Sequence, residues 1–236
     1  MSRQTVSEKL FEDFCADIGI SLESIAPESD EGQKTPDYTM EASGNLIVVE
    51  VKQFDPNPED RRLFRALSEQ GTTGTITSVP GHRVRGKISD AMPQLKARSK
   101  GKLPALLVLY NNVKLIEQRV DPIDIKTAMY GLEVVEVSVP KDPADRRIFA
   151  QHKFGGGRKV SDQYNTSLSA VGTLFETAQS IRLDIFHNDF AANSVDPAWL
   201  RSSSIRHFRL GTEMARGGLR EWVEVPLHDQ QNSEAK

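Results

Sequence analysis

The sequence predicts a mixed α/β domain. Three stretches carry that prediction. VSEKLFEDFCADI, over residues 6–18, sets Leu10, Phe11, Phe14, Cys15 and Ile18 on one stripe of an amphipathic helix. Residues 37–54 read as an apolar hairpin around Ala42-Ser43-Gly44-Asn45. LPALLVLY, residues 103–110, is a continuous apolar run of strand length, as a central strand covered on both faces requires.

The remaining elements follow in order. Gly19 is a plausible stop for the first helix. A short strand over 21–26 precedes the polar loop PESDEGQKT, residues 27–35. The hairpin strands span 37–40 and 46–54. Residues 55–86 read as an insertion: Asp55-Pro56-Asn57-Pro58 breaks structure, 59–69 has the composition of a short helix, and GTTGTITSVPGH is loop-like. Residues 87–100 place Ile88, Ala91, Met92 and Leu95 at helical spacing. Pro93 inside that pattern predicts a helix that is kinked or starts near Ala91, because its ring clashes with the carbonyl four residues back. Residues 132–139 alternate like a strand, and HKFGGGRK, 152–159, reads as a glycine-rich link. Residues 167–175 and 181–186 form a second hairpin. The expectation is a core over 1–112, with the insertion at 55–86, and a β-rich extension over 113–236 packed on the same domain and adding to its sheet. No internal repeat is visible.

Composition narrows the function classes. Of 236 residues, 38% are hydrophobic and 27% charged, which is the balance of a globular chain. No apolar run is long enough to span a membrane, and MSRQTVSEKLFEDF lacks the apolar centre of a signal peptide. The single cysteine, Cys15, excludes an internal disulfide and any multi-cysteine metal site. Its helical apolar position is that of a small buried hydrophobe, and the reading is a reducing, cytoplasmic protein. Net charge is −3, so the bulk charge does not advertise a polyanionic partner. The distribution does: Arg83, Arg85, Lys87, Lys96, Arg98, Lys100 and Lys102 stand against one acid, Asp90.

The hairpin carries the chemistry. Asp37 lies in its first strand, and Glu50 and Lys52 follow directly on the apolar Leu46-Ile47-Val48-Val49. Side chains alternate along a strand, so Glu50 and Lys52 share one face while Val49 and Val51 point to the other. A turn at Ser43-Gly44 sets Asp37 opposite Glu50, and a turn at Gly44-Asn45 sets it opposite Lys52. Either register brings all three polar groups to one face. Two carboxylates at cross-strand distance repel unless a cation lies between them. Lys52 supplies one charge, and a divalent cation suits the oxygen donors better, with Mg²⁺ or Mn²⁺ the fitting ions. Asp37, Glu50 and the backbone carbonyl of Val51 make a partial shell, and Lys52 is placed to assist an attacking water.

Pro36-Asp37, twelve intervening residues, then Glu50-Val51-Lys52 resembles the PD-(D/E)xK nuclease superfamily, which includes restriction endonucleases, junction resolvases and repair nucleases. The resemblance implies a restriction-endonuclease-like α-β-β-β-α-β core over residues 6–110 and a Mg²⁺-dependent endonuclease acting on DNA. It implies metal binding by Asp37, Glu50 and the Val51 carbonyl. It also implies a first-helix acid at the metal, for which Glu8 is the choice and Glu12 the rival. The second helix is expected to bring Gln94 or Lys87 toward the site. Arg83, Arg85, Lys87, Gln94 and Lys96 are then the nucleic-acid contacts. Restriction-type relatives pair to cut both strands, so a homodimer is compatible with this reading. Two other functions stay open: a binding module of the same fold that no longer cuts, and an interaction protein with no nucleic-acid role.

Other motifs point to structure. Asp124-Ile125-Lys126 repeats the acid-x-Lys spacing without an apolar strand before it or a Pro-Asp partner. His187-Asn188 ends a strand and reads as a turn cap. Gly155-Gly156-Gly157-Arg158-Lys159 lacks phosphate-loop spacing. Trp199 and Trp222 read as packing residues.

Overall fold

The computed structural model describes residues 4–25, 35–71, 79–113, 120–142, 148–214 and 220–226. Helix α1 (Val6–Asp17) starts where it does because Thr5 and Glu8 cap it reciprocally. The Thr5 hydroxyl accepts the Glu8 N–H, and the Glu8 carboxylate accepts the Thr5 N–H at 2.6 Å. Strand β1 (Ser21–Ser24) pairs antiparallel with β2 (Tyr38–Ala42), and β2 pairs antiparallel with β3 (Asn45–Phe54). Ser43 and Gly44 join β2 to β3 with both φ angles positive, 50° and 74°, the twist a two-residue hairpin turn needs. That turn sets Ala42 against Asn45 and Tyr38 against Val49.

The chain leaves β3 through two helices, α2 (Pro58–Gln70) and α3 (His82–Ser99), and returns in β4 (Ala105–Asn111), parallel to β3. Every residue of the ALLVLY stretch in β4 is buried. Then come α4 (Pro122–Tyr130) and a two-stranded ribbon, β5 (Glu133–Ser138) with β6 (Phe149–Phe154), which forms a sheet of its own. Strand β7 (Ala170–Glu176) joins the main sheet parallel to β4. It is followed by β8 (Ile181–His187), β9 (Ile205–Met214) and β10 (Arg220–Glu224). The result is one mixed sheet of eight strands in the order β1-β2-β3-β4-β7-β8-β9-β10.

Alternation in β3 and β4 sorts the core into two layers. Ile47, Val49, Val51, Leu106 and Val108 face α1 and bury Phe11, Phe14 and Cys15. Val48, Phe54, Leu107 and Leu109 face the opposite way and bury Ile88, Ala91, Met92 and Leu95 of α3. Each such side chain contributes roughly 1.5–3 kcal/mol of burial. Glu50 and Lys52 share the parity of Val48 and Phe54, so they point to the α3 side.

Three sequence expectations change. Helix α3 runs through Pro93 from His82, without starting near Ala91. Pro93 sits on the exposed side, and so does Ser89, whose carbonyl loses its helical partner to water at little cost. Residues 82–86 thus belong to α3 and not to a loop, while 72–78 and all of the polar loop over 27–35 but Thr35 lie outside the described residues. The expected link over 152–159 begins as the end of β6. Its glycines then dock, with Gly155 N–H donating to Leu132 O and Lys159 N–H to Met129 O. Among the described residues no helix is long and apolar enough to cross a membrane.

Candidate functional site

Asp37 lies one residue before β2, so it escapes the sheet ladder while keeping the strand's register. Continuing that register sets it opposite Glu50, the arrangement expected of a Ser43-Gly44 turn. Its Oδ2 accepts the Val51 N–H at 2.8 Å, which ties the carboxylate to β3 one residue short of Lys52. Glu50 is 0% exposed. Lys52 Nζ makes an ion pair with Glu50 Oε1. Lys52 and the Asp37 backbone N–H both favour the ionised form of Glu50, while the Thr39 hydroxyl on the same sheet face has no partner among the described residues.

Burial sets the electrostatics. It pushes the Glu50 carboxyl up to about 7. The charge of Asp37 adds to the rise, and Lys52 opposes it. Asp37 is raised for the same first reason; the Val51 N–H and Lys52 pull it back down, and Glu8 pushes it up. The three hairpin groups therefore form one coupled cluster.

Helix α1 separates its two acids. Glu12 accepts from the Tyr38 hydroxyl at 2.9 Å and from Gln4 at 2.7 Å, which commits both of its oxygens. Glu8 closes the helix cap, and its charge is felt at Asp37. The chain reaches this geometry partly through Gln53, whose Oε1 accepts the Ser7 N–H at 3.3 Å and docks the start of α1 beside β3. Sequence reasoning did not find Gln53 or Tyr38 because their partners lie 46 and 26 residues away.

Helix α3 splits the expected nucleic-acid residues between two sides. Arg83, Lys87 and Gln94, at i, i+4 and i+11, share the side toward the hairpin. Gln94 is buried and donates to the Thr35 carbonyl at 2.9 Å, fixing the approach to Asp37. Arg83 and Lys87 lie over the Phe54 ring, and Arg83 also donates to Asp60 and to the Asp55 carbonyl. Arg85 and Lys96 lie on the other side, Arg85 donating to the Thr127 carbonyl and Lys96 standing over the Tyr164 ring.

Among the described residues no three His, Cys, Asp or Glu side chains converge as a metal-holding group. What converges is a pair of carboxylates. Mg²⁺ keeps several waters and is held by one or two carboxylates plus substrate oxygens, so the pair fits such an ion. The buried Glu50 carboxylate beside Asp37 is the feature a cation would complete.

No family model, no curated protein and no solved structure matches this chain.

The other sequence motifs have structural duties. Asp124 accepts the Gly81 N–H at 2.7 Å, and Lys126 pairs with Glu133 at 3.3 Å. Asn188 is buried and bonds the Leu168 carbonyl and the Phe190 N–H, which makes it a turn residue. Its neighbour His187 is buried against His207, nitrogen to nitrogen at 3.0 Å. Trp222 donates to the Pro122 carbonyl and packs on Phe186, and Trp199 packs on the α1-side core.

Proposed function

We propose that the chain is a divalent-metal-dependent nuclease acting on DNA phosphodiesters, built on a restriction-endonuclease-like core and belonging to the PD-(D/E)xK superfamily. One observation carries this reading: a fully buried glutamate held against a second carboxylate and a lysine on the central hairpin. Burial and the neighbouring Asp37 charge both disfavour the ionised form of Glu50, and a cation shared with Asp37 would relieve both. The element order α1-β1-β2-β3-α3-β4, with α2 as an insertion, agrees with the expected core. A lone buried cysteine agrees with a reducing, cytoplasmic setting.

In this reading Asp37 and Glu50 hold the ion, and Glu8 adds negative charge at the rim. A bound Mg²⁺ or Mn²⁺ would supply Lewis-acid polarisation of the phosphate and an acidified water. Lys52, partly exposed beside Glu50, orients the attacking water or steadies the developing phosphate charge. Gln94 positions the Thr35–Asp37 approach and does not touch the reacting atoms. Arg83 and Lys87 stand on the same side for the phosphate backbone.

The test is cleavage of plasmid, linear, branched and single-stranded DNA with Mg²⁺, Mn²⁺ or EDTA, for the wild type, Asp37→Ala and Lys52→Ala. Metal-dependent cutting that both substitutions lower by 100-fold or more, roughly, is expected. The engagement of Glu8 in a helix cap favours a second reading, a module that binds DNA without cutting it. Unchanged DNA binding by Lys52→Ala, with no product on any substrate, would establish that reading instead.

A further inference from the structure

Helix α2 carries three arginines that the fold itself does not employ. Arg61, Arg62 and Arg65 are exposed and make no ion pair among the described residues. At i, i+1 and i+4 they share one side of the helix, opposite Leu63, its one buried residue. They rise about 6 Å along the axis from first to last. Of the two acids in the first turn, Asp60 closes the cap with Asn57 and accepts from Arg83 at 3.2 Å. Among the described residues neither Glu59 nor Glu69 makes an ion pair with the three arginines.

The helix is anchored where the candidate site ends. Its cap residue, Asn57, follows the last residue of β3 by three positions. Arg61 is close enough to Asp55 for its charge to favour the ionised form there. Arg83 joins α3 to α2 through Asp60, and to the end of β3 through the Asp55 carbonyl. Only Asp55 to Asn57 separates the strand that carries Lys52 from the start of α2. Guanidinium groups on its exposed side suit phosphate contact.

We propose that the exposed side of α2 grips the sugar–phosphate backbone of duplex DNA and leads it to Glu50 and Lys52. This rests on the nuclease reading above. Guanidinium groups bind phosphate oxygens in bidentate fashion, and each phosphate neutralised releases counterion, which makes the contact countable from its salt dependence.

The experiment measures duplex binding by the full chain in EDTA, across a salt series, using a fluorescently labelled duplex. The proteins are the wild type, the triple variant Arg61→Ala/Arg62→Ala/Arg65→Ala, and the triple variant to Lys. The slope of log K against log salt changes by about 0.9 per phosphate contact. The Ala variant is expected to lose about 2–3 from the slope's magnitude while unfolding at the wild-type temperature. The Lys variant is expected to keep most of it. A wild-type slope retained by the Ala variant, with Mg²⁺-dependent cutting intact, would overturn the α2 surface and leave the nuclease reading standing. No duplex binding and no cutting by the wild type would overturn both.

Discussion

Replacing Glu50 by Gln should stabilise the protein above neutral pH and abolish its response to metal. The carboxyl of Glu50 ionises near its ordinary value of 4.5 in the unfolded chain but at about 7 in the fold. The unfolded state therefore releases its proton first as pH rises. Stability from this group is full below 4.5, falls as pH climbs through 7, and is flat beyond. Each pKa unit is worth about 1.4 kcal/mol, so the interval corresponds to a loss of about 3 kcal/mol. Gln removes the charge and keeps the shape, and Lys52, 26% exposed, can turn its amine to water. Urea unfolding of both proteins in EDTA at pH 5, 6, 7 and 8 measures the effect as the gap between them. The gap should open by about 2.5 kcal/mol in favour of Glu50→Gln from pH 5 to 8. Changes at distant histidines cancel in that difference. Adding Mg²⁺ or Mn²⁺ at pH 8 should recover stability in the wild type alone, by about 1.4 kcal/mol per tenfold excess over the dissociation constant. A gap that stays constant over the pH range would refute the claim that Glu50 is a strained, buried acid. A wild type indifferent to both metals would refute its role as a ligand.

Two further outcomes test the scaffold. Gly81 has φ +72°, and a Cβ there would lie 2.7 Å from the Ala128 backbone nitrogen and 2.8 Å from the Asp124 carbonyl. Gly81→Ala should therefore lower stability by about 2 kcal/mol or more, read as a shifted denaturant midpoint at an unchanged slope. His187 is buried beside His207 and held neutral down to about pH 3, chiefly by desolvation. Its folded value lies below the unfolded 6.5, so the stability it contributes is present above 6.5 and is lost as pH falls toward 3. Its ring resonances should not titrate between pH 8 and 5 in the native protein, and a midpoint near 6.5 would refute its burial.

The candidate site sets charged groups inside an apolar part of the sheet. Glu50 and Lys52 are followed on β4 by Leu107 and Leu109 in the same registers, so the polar pair is set directly beside a wholly apolar strand. Further out, the buried Asp184 is satisfied by a bidentate Arg206 at 2.8 and 2.9 Å. The contrast lies in the partners: Asp184 is closed by one guanidinium, whereas Glu50 shares its face with a second carboxylate and a lysine.

The sequence by itself determined what depends on local period and turn chemistry. The stripe of Phe11, Phe14 and Cys15 specified α1, the ALLVLY run specified a buried strand, and the residues around Ser43-Gly44 specified a tight turn in one of two registers. Either register put Asp37, Glu50 and Lys52 on one face, because side-chain alternation in a strand is strict, and the structure adopts the one centred on Ser43-Gly44. Pro93 misled, since the cost of a helix proline depends on whether the freed carbonyl meets water, which only the placement of α3 decides. Tertiary structure alone chose Glu8 over Glu12 as the acid felt at Asp37, by giving Glu12 to a tyrosine on β2. It divided one basic segment into a side facing the hairpin and a side facing α4. Those outcomes turn on contacts between residues tens of positions apart, whose energies are set by burial and by competing partners. No local pattern encodes either.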